Sequence, residues 1–135
     1  MEIKISPGAR RPIYQQIIDQ IRSQVACGKL VVGAGVPSVR QLAQDLVVNH
    51  NTVAKAYAEL VRDGVLESQQ GRGVFVAPRR QVFSASERRR RLDVALDTFV
   101  AEAITLDYSP EQIESEVAKR LEKMASRKSQ QMGDS

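Results

Sequence analysis

The sequence predicts a mostly α-helical fold with a small β-hairpin wing: an N-terminal winged helix-turn-helix followed by a C-terminal α-helical hairpin. Three short segments in the first half of the chain carry apolar residues at helical spacing. Two β-type runs around a glycine-containing turn follow them, and a heptad-like apolar repeat begins after Ser84. We therefore divide the chain into a winged helix-turn-helix domain at 1–78, a two-helix tail at 84–126 and a frayed C-terminus at 127–135.

Composition indicates an ordinary globular protein with an aliphatic core. Of the 135 residues, 42% are hydrophobic and only 4% aromatic. No apolar run is long enough to cross a bilayer and the start lacks a secretion signal, which predicts a cytoplasmic protein with no membrane partner. Cys27, the one cysteine, fits a reducing compartment, where a passive thiol is favoured over a redox role.

Charge is distributed unevenly along the chain. Residues 1–80 hold eleven Lys and Arg against six Asp and Glu, a balance of +5, whereas residues 81–135 hold nine against ten, a balance of −1. A basic N-terminal region joined to a nearly neutral tail suggests that this region meets a polyanion.

The first helix is predicted from one apolar stripe. Residues 1–10 form an extended arm, Pro12 occupies the first turn of the helix and Gly28 ends it. The residues expected to face inward are Tyr14, Ile17, Ile18, Ile21 and Val25.

Two shorter helices and a hairpin follow a loop at 28–37. Ser38 caps the second helix with Gln41 as its capping-box partner, and Asn49 caps the third, which Gly64 closes. The residues expected to face inward are Val39, Leu42, Ala43 and Leu46 in the second helix and Val53, Ala56, Tyr57, Leu60 and Val61 in the third. The hairpin strands are predicted at 65–69 and 73–76, joined by a turn at 70–72.

The tail is predicted to be two helices with an apolar seam. Ser84 and Glu87 form a capping box for the first, and Ser109 and Gln112 form one for the second, with Pro110 at its first position. The seam, expected to make a dimer interface, consists of Leu92, Leu96, Phe99, Ala103, Leu106, Ile113, Val117 and Leu121.

The start of the third helix carries the residues best suited to read DNA. A helix of this kind enters the major groove with its first turn against the base edges. That turn holds His50, Asn51 and Thr52, with Lys55 one turn on; Asn pairs with both groups on the adenine edge, and Thr offers a hydroxyl and a methyl group. Polar residues at a helix start are also common as caps, and for Asn49 we favour capping alone.

The second helix and the wing add candidate backbone contacts. Arg40 lies one residue off the apolar face and is expected to point outward toward a phosphate or a guanine edge, although a solvated arginine is the alternative. At the hairpin tip, Gly71 allows close approach to the sugar-phosphate backbone and Arg72 can reach the minor groove.

These residues together resemble the winged-helix domain of GntR-family bacterial transcription regulators. The matching stretches are 12–17, 36–43, 51–57 and 70–76, in the family's order and spacing. The resemblance implies operator binding by a homodimer. The predicted DNA-binding residues are Ser38, Arg40, His50, Asn51, Thr52, Lys55, Gly71 and Arg72.

The chain departs from the family pattern at three positions. Many members carry arginine in place of His50 and of Ala54, and a glycine in place of Val47. Base preference therefore does not carry over. The short tail is similar to the YtrA-type branch of the family, in which two helices mainly build the dimer; the alternative is a seam that packs on the chain's own N-terminal region.

Other functions receive less support. Arg88–Arg91 either contact DNA or form a solvated face, and cations at a helix start oppose its dipole. The single histidine excludes a His-based metal cluster, no P-loop or Cys–His pair is present, and we expect neither enzymatic activity nor a cofactor. A protein-binding adaptor of the same fold stays open, as does a small effector of unknown identity.

Overall fold

The computed structural model describes the backbone of residues 1–133 and the side chains of residues 1–126. The chain forms two compact units, Met1–Gln81 and Val82–Ser135. None of the described helices has the length and apolar character needed to span a membrane.

The first unit has the predicted order of a winged helix-turn-helix. Its elements are α1 (Ile13–Ala26), β1 (Gly35–Val36), α2 (Val39–Leu46), α3 (His50–Arg62), β2 (Leu66–Gln69) and β3 (Gly73–Val76). The second unit contains α4 (Ala85–Thr105) and α5 (Pro110–Gly133). The predicted fold class is confirmed.

The core of the first unit joins α1 to α3. Ile17, Ile18 and Ile21 are fully buried on α1, as are Val53 and Leu60 on α3. The expectation that Val61 faces inward was wrong, because 39% of this residue is exposed. It lies beyond the buried stripe of α3, which runs at helical spacing through Val53, Ala56, Tyr57 and Leu60.

The sheet has a strand that local pattern did not reveal. The order is β1-β3-β2, all antiparallel, so β3 is central and β1 adds a third strand within the predicted loop at 28–37. A two-residue strand has no period of its own and forms only because Gly35 pairs with Phe75. A Cβ on Gly35 would lie 3.6 Å from the Phe75 ring, so the ring covers the space above this glycine.

The N-terminal arm is held by glutamines one helical turn apart on α1. Gln16 and Gln20 each exchange two hydrogen bonds with the backbone, at Ser6 and Lys4 respectively, over 2.6–3.0 Å. Gln24 adds one bond from Nε2 to the Glu2 carbonyl, at 2.7 Å. Glutamines spaced four residues apart on one face of α1 thus reach every second residue of the extended arm. The arm places Ile3 in the core.

Capping differs in detail from the sequence prediction. Pro12 is the N-cap of α1 with an extended ψ of 150°, one position before the helix. Ser38 accepts from the Gln41 amide at 3.0 Å, but the Gln41 side chain turns to Asp45 instead of returning to the cap. Ser109 and Gln112 form the full reciprocal box predicted for them.

The tail helices are joined by a tight turn at 106–109. Leu106 is the C-cap of α4 and Asp107 has a left-handed φ of 66°. Helix α5 continues to Gly133, beyond the point at 127 where we predicted fraying, since residues 127–132 include neither proline nor glycine to stop it. The side chains of that extension lie outside the described residues.

Replacing Gln20 with alanine should destabilise the first unit by about 1–2 kcal/mol, because two backbone hydrogen bonds of the arm are lost while the freed groups reach water. Chemical denaturation measures the change. Gln44→Ala, at an exposed glutamine on α2, is the matched control and should stay within about 0.5 kcal/mol of the parent. Equal stability of the two variants would contradict this account of the arm.

Candidate nucleic-acid interface

The first turn of α3 is presented to solvent by its cap. Asn49 Oδ1 accepts from the Asn51 amide at 2.7 Å, which confirms the predicted cap. His50 and Asn51 are exposed and Thr52 is half-buried. The cap engages only the backbone amide of Asn51. The side-chain amide of Asn51 therefore remains available for a ligand.

Helix α2 begins with a second outward-facing group. Arg40 is exposed in its first turn and makes no ion pair with any described residue. The Ser38 hydroxyl accepts the capping bond and keeps its own proton available for donation. Both side chains suit phosphate contacts.

A shallow depression brings two of the predicted residues together. It measures about 500 Å³ and its lining residues are Arg40, Ala43, Gln44, Val47, Val48 and His50. Arg40 from α2 and His50 from α3 therefore border one surface, across the turn between the helices. In the sequence, Val47 stands out only as a departure from the family's glycine, and the structure places it on this surface.

The wing tip has the conformation that its sequence suggests. The Arg72 amide donates to the Gln69 carbonyl at 2.9 Å, and Gly71 has a φ of 76°. A Cβ on Gly71 would meet nothing within 4 Å, so the residue serves the backbone conformation and leaves the tip open. Arg72 is exposed and without an ion pair in the described part of the chain.

Lys55 is oriented differently from the other predicted contacts. Its ammonium lies 3.8 Å from the centre of the Tyr14 ring on α1. This cation–π contact holds the side chain toward α1. To bind a phosphate, Lys55 would have to do so from beside this ring or leave it.

Two long-range contacts position the interface, and sequence reasoning missed both. The buried Tyr57 of α3 donates its hydroxyl to the Pro37 carbonyl at 2.7 Å, just before the Ser38 cap. Burial raises the pKa of this phenol, so the donor proton is retained. At the other end of α3, Arg22 pairs with the largely buried carboxylate of Asp63. The only sequence signal was the polar tip of a core tyrosine, which usually finds a partner.

Three of the four arginines at the start of α4 pair with carboxylates of the same helix. Arg90 and Arg91 both donate to Glu87, and these hydrogen bonds, with Arg90 the larger cause, lower the pKa of Glu87 to about 2. Arg89 pairs with Asp93 at 2.7 Å. Local carboxylates thus offset the unfavourable placement of cations at a helix N-terminus. Since Glu87 uses its side chain here, its predicted capping box with Ser84 is only half formed.

The tail presents an open apolar groove. It measures about 610 Å³, and the predicted seam residues that line it are Phe99, Ala103, Leu106, Ile113, Val117 and Leu121. Ala103 is buried, but Leu106 and Leu121 are 62% and 63% exposed. Leu92 and Leu96 lie outside the groove and are also exposed.

Comparison with known proteins finds one matching family and several similar transcription regulators. The GntR family of bacterial regulatory proteins matches residues 13–76. The chain is 44% identical over 75 residues to the HTH-type transcriptional repressor YtrA of Bacillus subtilis (strain 168), a match covering 56% of this chain and 58% of YtrA. It is 33% identical over 103 residues to the HTH-type transcriptional regulator YhcF of the same organism, covering 76% of this chain and 84% of YhcF.

Two of three similar solved structures match most of the chain, and the third matches about half of it. A transcriptional antiterminator from Listeria monocytogenes EGD-e matches with a TM-score of 0.76 and 29% identity over 92% of each chain. YtrA from Sulfolobus acidocaldarius, a GntR-family transcription factor, matches with a TM-score of 0.52 and 33% identity over 89% of this chain and 97% of that one. AraR(DBD) in complex with operator ORX1 matches with a TM-score of 0.51 and 32% identity over 57% of this chain and 96% of AraR(DBD).

The fold and the exposed polar surface define a winged helix-turn-helix transcription regulator. The chain belongs to the GntR family of bacterial regulatory proteins. Its similarity to the YtrA proteins places it with the short-tailed, YtrA-type members.

Replacing Tyr57 with phenylalanine should lower stability by about 1 kcal/mol, because the Pro37 carbonyl loses its buried donor. Thermal and chemical unfolding measure the loss. Tyr108→Phe is the matched control, since Tyr108 is 51% exposed, and it should change stability little. A Tyr57 variant as stable as this control would show that the hydroxyl does not tie α2 to α3.

Proposed function

We propose that the protein binds a two-fold DNA operator as a homodimer and represses transcription from it. The observation that carries the proposal is a set of exposed polar side chains on the first unit that make no polar contacts within the described residues. Asn51, Arg40 and Arg72 come from α3, α2 and the wing, and each is exposed without an ion pair or side-chain hydrogen bond among the described residues. A packed structural role would have engaged them.

In this proposal, α3 enters the major groove with its first turn leading. Asn51 reads a base edge, with adenine the best geometric partner for its amide, and Thr52 and His50 contact neighbouring bases or phosphates. Ser38 and Arg40 bind the flanking phosphates, and the wing tip follows the backbone into the minor groove.

The tail supplies the surface through which a second copy of the chain binds. A chain with this much exposed apolar surface is expected to bury it, and a two-fold partner is the commonest solution. Exposed apolar residues on α4 extend beyond the predicted seam to Val100 and Ile104, so cover from more than one helix is needed. The first units of two chains joined in this way would bind half-sites about 34–36 Å apart, which is one helical turn of DNA.

The relatives support repression as the outcome. YtrA of Bacillus subtilis is a transcriptional repressor and AraR(DBD) was solved on its operator. We infer the same mode here, in which the bound dimer blocks transcription initiation in the cytoplasm, where the chromosome lies. The proposal includes no catalytic activity and no cofactor.

Selection of bound fragments from a random duplex pool tests the core of this proposal. The full chain should enrich a two-fold motif, and the enriched duplex should displace random DNA in a gel-shift assay. Affinity should fall steeply with added salt because phosphate contacts release counterions. An unenriched pool, bound as tightly as any duplex, would rule out operator recognition.

Asn51→Ala and Arg72→Ala should weaken binding in different ways. Loss of the Asn51 amide should cost about 1–3 kcal/mol at one base pair, and relax the preference there. Loss of Arg72 should weaken all duplexes alike and lower the salt slope by about one per head. Binding titrations on the selected duplex and single-base variants distinguish the two. A uniform loss for Asn51→Ala would assign it to the backbone instead.

A glutamate in the tail groove should separate the subunits. Leu121→Glu places a charge at a 63% exposed position, so the chain should fold while the dimer dissociates. Sedimentation should change from dimer to monomer, and affinity for the two-fold duplex should fall by tenfold or more, roughly the loss of a second linked contact. Val32→Glu, at a 59% exposed valine of the first unit, is the control that stays dimeric. An unchanged sedimentation coefficient in the Leu121 variant would exclude the groove as the interface.

A further inference from the structure

The turn between α2 and α3 holds a valine in a backbone conformation that valine rarely adopts. Val47 is the C-cap of α2 with φ 54° and ψ 50°, in the left-handed region. A branched Cβ is disfavoured there, and glycine or asparagine would relieve the strain. Its amide closes the helix by donating to the Gln44 carbonyl at 3.3 Å, a bond that needs no side chain.

The side chain gives the isolated chain no packing in return. Val47 is 89% exposed, the highest value among the large apolar residues that the structure describes. Its neighbour in the turn, Val48, packs against the core instead. A strained residue whose side chain supports neither the backbone nor the core indicates a role for that side chain outside the folded chain.

The surroundings of Val47 indicate what it meets. It lines the depression that Arg40 and His50 also line. Under the proposed function, Arg40 binds a phosphate and His50 contacts a base or a phosphate. Val47 therefore belongs to a surface that the proposed function places against the duplex. The carbon surfaces that duplex DNA offers at such a place are the deoxyribose ring and the thymine C5-methyl group.

We propose that Val47 is an additional DNA-contact residue, whose isopropyl group packs on one of these carbon surfaces when the depression meets the duplex. The inference rests on the proposed function, since it requires that this face bind DNA. It adds an apolar contact to an interface otherwise made of polar and charged groups. The free protein shows no contact that offsets the strained backbone of Val47, because in this proposal the offsetting contact forms only when DNA binds.

The test uses the full chain and the duplex selected with the parent protein. Val47→Gly and Val47→Asn relieve the strain and remove the apolar group, whereas Val47→Ala removes two methyl groups and keeps the Cβ. Val32→Ala is the matched control, because Val32 is 59% exposed in the loop after α1. Each variant is measured for thermal unfolding and for affinity, on the normal duplex and on one with uracil in place of thymine.

Stability and affinity should move in opposite directions. Val47→Gly and Val47→Asn should unfold a few degrees higher than the parent and bind about fivefold more weakly or worse, from the lost apolar burial. Val47→Ala should also bind more weakly, and Val32→Ala should match the parent. Glycine adds backbone freedom as well, so the loss in the asparagine variant shows that flexibility is not its cause.

The uracil duplex identifies the DNA group. If the parent alone loses affinity on uracil, the thymine methyl is the partner; if parent and variants respond equally, the deoxyribose is. Val47 variants that bind both duplexes within twofold of the parent would overturn the inference, whatever their stability. Failure of the parent to select any duplex refutes the proposed function itself, which is a different and recognisable result.

Discussion

The packing of α3 against α1 is the constraint on which the rest of the structure depends. Ile17, Ile18 and Ile21 meet the buried stripe of α3, so one side of that helix is committed to the core. Because the side chains of a helix are fixed in angle around its axis, burial of Val53 and Leu60 determines which residues remain outside. The helix that holds the core together is thus also the helix that presents the candidate interface.

Polar contacts at both ends make this arrangement specific. Tyr57 ties α3 to the segment before α2 and Arg22 ties α1 to the end of α3. The Tyr57 contact reaches the residue just before the Ser38 cap, so it fixes the start of α2, which carries Arg40, against α3. Of the candidate interface residues, the side chains of Arg40, Asn51 and Arg72 are exposed and take no part in the core or the caps. Within the first unit, Val47 is the one non-glycine residue whose φ lies in the left-handed region.

The tail follows a different principle. In the first unit most large apolar residues pack into the core, whereas α4 and α5 leave theirs largely exposed along an open groove. Charge is handled locally instead: Glu87 engages two arginines of its own helix and Arg89 pairs with Asp93. These carboxylates reduce the positive charge at the start of α4, while the groove leaves apolar surface of the tail exposed.

The sequence by itself determined the elements and their faces, because helix period, strand alternation and caps such as Asn49 act over a few residues. The tertiary structure alone decided the strand at Gly35, the glutamine contacts to the arm, the outward position of Val61 and the placement of Lys55 over Tyr14. Each of these depends on which distant backbone or ring arrives beside the residue. Local sequence pattern indicates which polar and apolar groups need partners. The tertiary structure alone determines which distant residues those partners are.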